Sequence, residues 1–130
     1  MSESLHLSTY VARPAHEVYA YVGEPAHLPE WAAGLSGSIE ERDGRWFADS
    51  PMGEVEVRFA SANPHGVLDH DVTLPDGTVV TNPMRVIPDG EGSEVVFTLR
   101  RRPGMTDAEL DADAAAVRSD LATLKALLER

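Results

Sequence analysis

The middle of this 130-residue chain is cut into short pieces by turn residues, and that punctuation constrains the fold more than any other feature. Asp43-Gly44, Ser50-Pro51-Met52-Gly53, Asn63-Pro64-His65-Gly66, Pro75-Asp76-Gly77 and Pro88-Asp89-Gly90 fall between runs of alternating polar and apolar residues. Glycine tolerates positive φ, while proline fixes φ and lacks an N–H, so such clusters end strands. These five signals, from Ser36 to about Arg102, separate six runs, the pattern of an antiparallel meander. Another alternating segment precedes them, with Leu5, Leu7, Thr9 and Val11 on one face and His6, Ser8, Tyr10 and Ala12 on the other. Seven strands are therefore expected.

Helical signals flank the meander. Pro14 suits the first position of a helix running to about Val22, which would bury Val18, Tyr21 and Val22 and stop at Gly23. A second short helical stretch, Ala26 to Ala33, ends at Gly34 and carries Trp31. Near the end, Thr106-Asp107-Ala108-Glu109 forms a capping box, and Asp107, Asp111 and Asp113 favour the positive end of a helix dipole. Leu110, Ala114, Val117, Leu121, Leu124 and Leu128 then recur every three or four residues as one apolar stripe. A helix of about 24 residues would be about 36 Å long, enough to cross a small domain. Its stripe reads as core, not as a partner-binding face. The expected fold is α+β: a seven-stranded curved antiparallel sheet, two short helices between its first two strands, and the long helix across one face.

Composition narrows the function classes. The length fits one domain spanning residues 1–130. Twenty-two acidic residues against eleven basic ones give a formal charge of −11, which argues against nucleic-acid binding and against docking on anionic membranes. The absence of cysteine removes thiol catalysis, disulfides and thiolate metal sites. Met1 to His6 has neither a charged nor an apolar leader region, and no run approaches the ~20 apolar residues of a membrane span. A soluble, cytoplasmic protein, monomeric or homodimeric, is expected.

The segment from Ala12 to Trp31 carries a family likeness. Its pattern is Pro14 before the apolar-aromatic stretch Val18-Tyr19-Ala20-Tyr21-Val22, a short break, then Leu28-Pro29-Glu30-Trp31. This resembles the START-like superfamily, and within it the polyketide cyclase/dehydrase-like proteins. An Asp often stands in the break of that family, where this chain has Gly23-Glu24. The resemblance spans essentially the whole chain and implies the helix-grip fold, with a cavity between the sheet and the long helix. Lipid and hormone carriers, aromatic cyclases, dehydratases and chaperone regulators share that fold, so it does not choose among them.

Turn geometry predicts which residues line such a cavity. A three-residue loop at Pro75-Asp76-Gly77 pairs Leu74 with Thr78, Val72 with Val80 and His70 with Asn82, and beyond them Leu68 with Met84. Pro83 inside this strand marks a bulge. The same argument at Ser50–Gly53 pairs Phe47 with Val57 and Asp49 with Val55. Phe47, Val57 and Phe59 then face inward with Val95, Phe97 and Leu99, and Trp46 faces outward near Arg58. His70 and Asn82 are the polar intrusions on this apolar face. They can orient a ligand's carbonyl or hydroxyl, or His70 can act as a general acid–base. The plainer alternative is that they bond each other or a buried water.

The expected ligand site is thus His70 and Asn82 for orientation, with walls from Phe47, Val57, Phe59, Met84, Phe97, Leu121 and Leu124, and Trp31 as plug or contact. Arg101, in the basic run Arg100–Arg102, is either a cavity-mouth cation or a surface ion-pair partner of the acidic helix start. Strand alternation puts Asp69 and Asp71 opposite the His70 imidazole, so no metal site is expected, and no cofactor motif occurs. Three functions follow. The leading one is binding of a small, mainly apolar ligand, whether aromatic, lipid or polyketide-like. The second is a cofactor-independent cyclase or dehydratase using His70, with Asn82 steadying an enolate oxygen. The third is an interaction module with a vestigial cavity, acting through the outer face around Trp46 and Arg58. An open cavity of at least ~300 Å³ would favour the first two. A filled interior, with His70 bonded only to protein, would favour the third.

Overall fold

A computed structural model describes residues 3–35 and 37–130; Met1–Ser2, part of the segment read as lacking a leader pattern, and the expected start of the meander at Ser36 lie outside them. The elements are β1 (Ser4–Val11), α1 (Ala15–Val22), a 3-10 turn (Pro25–His27), α2 (Leu28–Trp31), a second 3-10 turn (Ala33–Leu35), β2 (Ile39–Arg42), β3 (Arg45–Ser50), β4 (Gly53–Phe59), β5 (His70–Thr73), β6 (Val79–Asn82), β7 (Met84–Asp89), β8 (Gly92–Arg100) and α3 (Asp107–Leu128). Two antiparallel ladders run in the orders β1-β8-β7 and β2-β3-β4-β5-β6. The apolar alternation read from β1 is met by β8, with Leu5 opposite Leu99, Leu7 opposite Phe97 and Thr9 opposite Val95. The long α3 packs against β1, β8 and α2, and buries Leu110, Ala114, Leu121 and Leu124 in the common core.

The strand count differs from expectation by one, and Pro83 is the reason. Val72 pairs with Val80 and His70 with Asn82 as the turn predicts. With no N–H on Pro83 the ladder cannot continue, so β6 ends at Asn82 and β7 leaves from Met84 to pair with β8. Side chains patch the break. Leu68 N–H donates to the Met84 carbonyl at 2.8 Å, but Met84 N–H donates to Asp69 Oδ1 at 2.9 Å. Thr98 N–H donates to the Pro83 carbonyl at 2.9 Å, joining the two ladders at this point.

The β3–β4 hairpin corrects a second expectation. Ser50 pairs with Gly53, so the loop holds only Pro51 and Met52. Ser50 Oγ donates to the Gly53 carbonyl at 2.7 Å and accepts Met52 N–H at 3.2 Å, with Gly53 at φ +108°. The tighter loop shifts the register by one residue, which exchanges the faces. Trp46 pairs with Val57 and Ala48 with Val55, on the inner side. Phe47 pairs with Glu56 on the outer face, where the Arg42 guanidinium stacks 4.0 Å from its ring centroid. Phe47 is therefore not a cavity wall. Trp46 and Arg58 do not form a common outer patch, since Arg58 lies opposite Asp71 on the other face from Trp46.

The helices shift in detail. Pro14 caps α1 instead of opening it: its ψ of 145° is extended, and its carbonyl accepts Glu17 N–H and Val18 N–H. The expected helix from Ala26 to Ala33 is instead a 3-10 turn running into α2, which the extended residue Ala32 separates from a second 3-10 turn. The capping box on α3 is complete, with Thr106 Oγ1 accepting Glu109 N–H and Glu109 Oε1 accepting Thr106 N–H. At its other end Lys125 Nζ donates to the Tyr10 carbonyl and Ala12 N–H to Glu129, each at 2.7 Å, fastening α3 to the end of β1. No helix among the described residues is long and apolar enough to cross a membrane.

Candidate functional site

A cavity of about 150 Å³ lies between the inner face of β5 and β6, the segment from α2 to the following turn, and α3. Apolar side chains make most of its wall: Leu28, Ala32 and Leu35 from the helical segment, Val72 and Phe97 from strands, Val117 and Leu121 from α3. Four polar-bearing residues join them, namely Trp31, His70, Asn82 and Asp120. Gly34 is exposed and Leu35, Val117 and Asp120 are half-buried, whereas Leu28, Trp31 and His70 are buried. The mouth therefore lies between the Ala33–Leu35 turn and α3.

His70 is fixed by three neighbours. Its ring lies 4.9 Å from Phe59 and 6.1 Å from Phe97, centroid to centroid, and its Nδ1 sits 3.0 Å from the Leu68 carbonyl. A carbonyl only accepts, so Nδ1 carries the proton and Nε2 is left as an acceptor. Burial pushes the imidazole below its ordinary pKa, against the weaker upward pull of the Leu68 bond and of Asp69 and Asp71. The side chain is neutral at neutral pH. Nε2 makes no hydrogen bond among the described residues, and neither does the amide of Asn82, directly across the strand pair. The buried Trp31 Nε1–H also lacks a partner. An unpaired buried donor costs about 1–3 kcal/mol, so Trp31 is under-satisfied, whereas His70 Nε2 and the Asn82 amide keep free capacity at the cavity surface.

Asp120 was not evident from sequence. It follows Val117 by three residues and precedes Leu124 by four, which places it at the edge of the apolar stripe. Its Oδ1 accepts Ala33 N–H at 3.1 Å. Burial raises its carboxyl pKa, and the Ala33 bond offsets part of that rise.

Of the residues expected at the site, His70, Asn82, Trp31, Phe97 and Leu121 line this cavity. Val57, Met84 and Leu124 are core residues around it, and Phe59 packs on the far side of His70 without lining it. Arg101 is drawn away from it: its guanidinium bonds Glu3, Asp107 and the Met105 carbonyl, the surface ion-pair alternative. Asp71 accepts from Thr81 Oγ1 at 2.7 Å, and Asp69 holds Met84, so neither turns toward the imidazole. The volume falls short of the ~300 Å³ that would favour a binder or an enzyme, and His70 bonds only to protein; the volume is nonetheless close to the ~150 Å³ that accepts a benzene-sized ring. Larger hollows, of about 510 Å³ beside Trp46 and about 270 Å³ between α1 and residues 63–66, contain neither His70 nor Asn82.

A sheet gripping a long C-terminal helix, with a small cavity between them, defines a helix-grip protein. The chain belongs to the polyketide cyclase / dehydrase and lipid transport family, which it matches over residues 2–129. No curated protein matches it in sequence. Its fold is similar to that of an uncharacterized protein from Bacillus thuringiensis (TM-score 0.76, 15% identity, covering 97% of this chain and 98% of that one). It is also similar to XoxI from Bacillus cereus (TM-score 0.74, 14% identity, 96% and 94%). A third similar structure is DynU16, a protein of the dynemicin biosynthetic locus (TM-score 0.73, 16% identity, 97% of this chain and 47% of that one). At these identities the likeness is one of fold.

Proposed function

We propose that the protein binds a small, mainly apolar ligand of about one ring in the cavity between β5, β6, α2 and α3, with His70 and Asn82 orienting its polar group. The carrying observation is an apolar cavity in which an imidazole acceptor and an amide, paired across two strands, both keep unused hydrogen-bonding capacity. Side chains opposite each other on a sheet lie about 5 Å apart at Cβ, close enough for one ligand oxygen to meet both. Family membership supports the reading, because the family description joins cyclisation chemistry and lipid transport, both of which need an apolar cavity.

The test is a titration with benzyl alcohol followed by the indole N–H resonances. Saturable movement of the Trp31 signal is expected, with loss of binding in Leu121→Trp, which fills the cavity. No saturable shift, or an unchanged one in a folded Leu121→Trp protein, would overturn the proposal.

A second reading is favoured by one observation: neutral His70 presents Nε2 as a proton acceptor. The same site would then abstract a proton from the ligand as a general base. His70→Gln separates the two readings, since turnover lost with binding kept means catalysis.

A further inference from the structure

Asp120 is a carboxylate in an unusual setting for its charge. It lines the cavity from α3 and is half-buried, and its Oδ1 is committed to Ala33 N–H at 3.1 Å. No lysine, arginine or histidine pairs with it among the described residues. A charge withdrawn from water is costly unless it is paired, and the cavity supplies no cation. His70 is held neutral by burial, while Asn82 and Trp31 carry no charge. The protein as a whole bears −11, so its field concentrates cations and repels anions at any opening. The rest of the lining is apolar and encloses about 150 Å³.

We propose that the ligand is an amphiphilic cation, a ring-sized apolar body that carries a protonated amine besides the polar group meeting His70 and Asn82, with the ammonium seated on the Asp120 carboxylate at the mouth. An ammonium offers three donors to the oxygen that Ala33 leaves free. The apolar body fills the space between Val72, Phe97, Val117 and Leu121. Carboxylate ligands are turned away by the same side chain. This assignment rests on the binding reading above and adds to it the charge class of the ligand and Asp120 as the residue that sets it.

Calorimetric titration with benzylamine, benzyl alcohol and benzoate tests it, because the three share one ring and differ in charge. Wild-type protein is expected to bind benzylamine at least ~10-fold more tightly than benzyl alcohol, a difference of about 1.4 kcal/mol, with benzoate weakest. Asp120→Asn retains an oxygen for Ala33 N–H and removes the charge, and should bring the two neutral-pH affinities within about 3-fold. Should that variant not fold, salt provides the check: benzylamine affinity falls from 0.02 to 0.3 M NaCl while that of benzyl alcohol does not. Benzyl alcohol binding as tightly as benzylamine in the wild type, or an amine preference that survives in Asp120→Asn, overturns the charge class and leaves the cavity reading standing. Failure of all three probes to bind overturns both.

Discussion

Burial of His70 between Phe59 and Phe97 lowers its proton affinity, and this fixes a sign in the pH dependence of folding. In the unfolded chain the imidazole titrates near 6.5. Below that value the unfolded state binds more protons than the folded one, so stability is complete above about pH 6.5 and is lost as pH falls toward the depressed folded value. Asp120 acts oppositely: its raised carboxyl takes up a proton in the folded state first, so acidification through the carboxylate range restores stability there. Urea unfolding of wild type and His70→Gln between about pH 5 and 8 isolates the first effect. The wild type should lose stability relative to the variant below about pH 6.5, by at most ~1.4 kcal/mol per pH unit, and the difference should be flat above it. A difference that is flat throughout would contradict a buried neutral imidazole.

At the scale of elements, α3 depends on its cap. Thr106→Ala removes the acceptor for Glu109 N–H and should cost about 0.5–2 kcal/mol in urea unfolding, with the helix otherwise retained by its buried stripe. That cap and the apolar period of α3 are legible in the sequence because both are set by local spacing. The β5–β6 register was legible for the same reason: Gly77, at φ +90°, fits one loop length and no other arrangement gathers the apolar residues. The β3–β4 register was not. Ser50-Pro51-Met52-Gly53 is compatible with loops of two or three residues, and Phe47 and Trp46 are both apolar enough to face inward. The choice falls to side-chain contacts between neighbouring strands, in which Arg42 covers Phe47 and Arg45 pairs with Glu56. Pro83 announces an irregularity but not its form, because the departure of β7 toward β8 goes with Asp69, just before β5, accepting Met84 N–H. Asp120 is not legible in the sequence, since an acidic residue on an amphipathic helix ordinarily faces water, and it is the approach of Ala33 that brings it to the cavity.

For the whole molecule, the charge and the cavity divide the protein into an outside and an inside. The surface ion pairs, such as Arg45–Glu56 and Arg101–Asp107, each keep one partner exposed to water and contribute little individually. The dominant long-range effect of −11 is self-repulsion, which salt screens. The melting temperature should therefore rise between about 0.01 and 0.3 M NaCl; a fall would mean that the ion pairs outweigh the net charge. Inside, the central claim is that the cavity receives a ligand at His70. Imidazole nitrogen NMR tests this most directly, because it reports tautomer, charge and occupancy at once. At pH 7 the free protein should show His70 neutral with the proton on Nδ1, and saturating benzyl alcohol should shift Nε2 while leaving Nδ1 on Leu68. A protonated ring, a proton on Nε2, or an Nε2 signal unmoved at saturation would contradict the account.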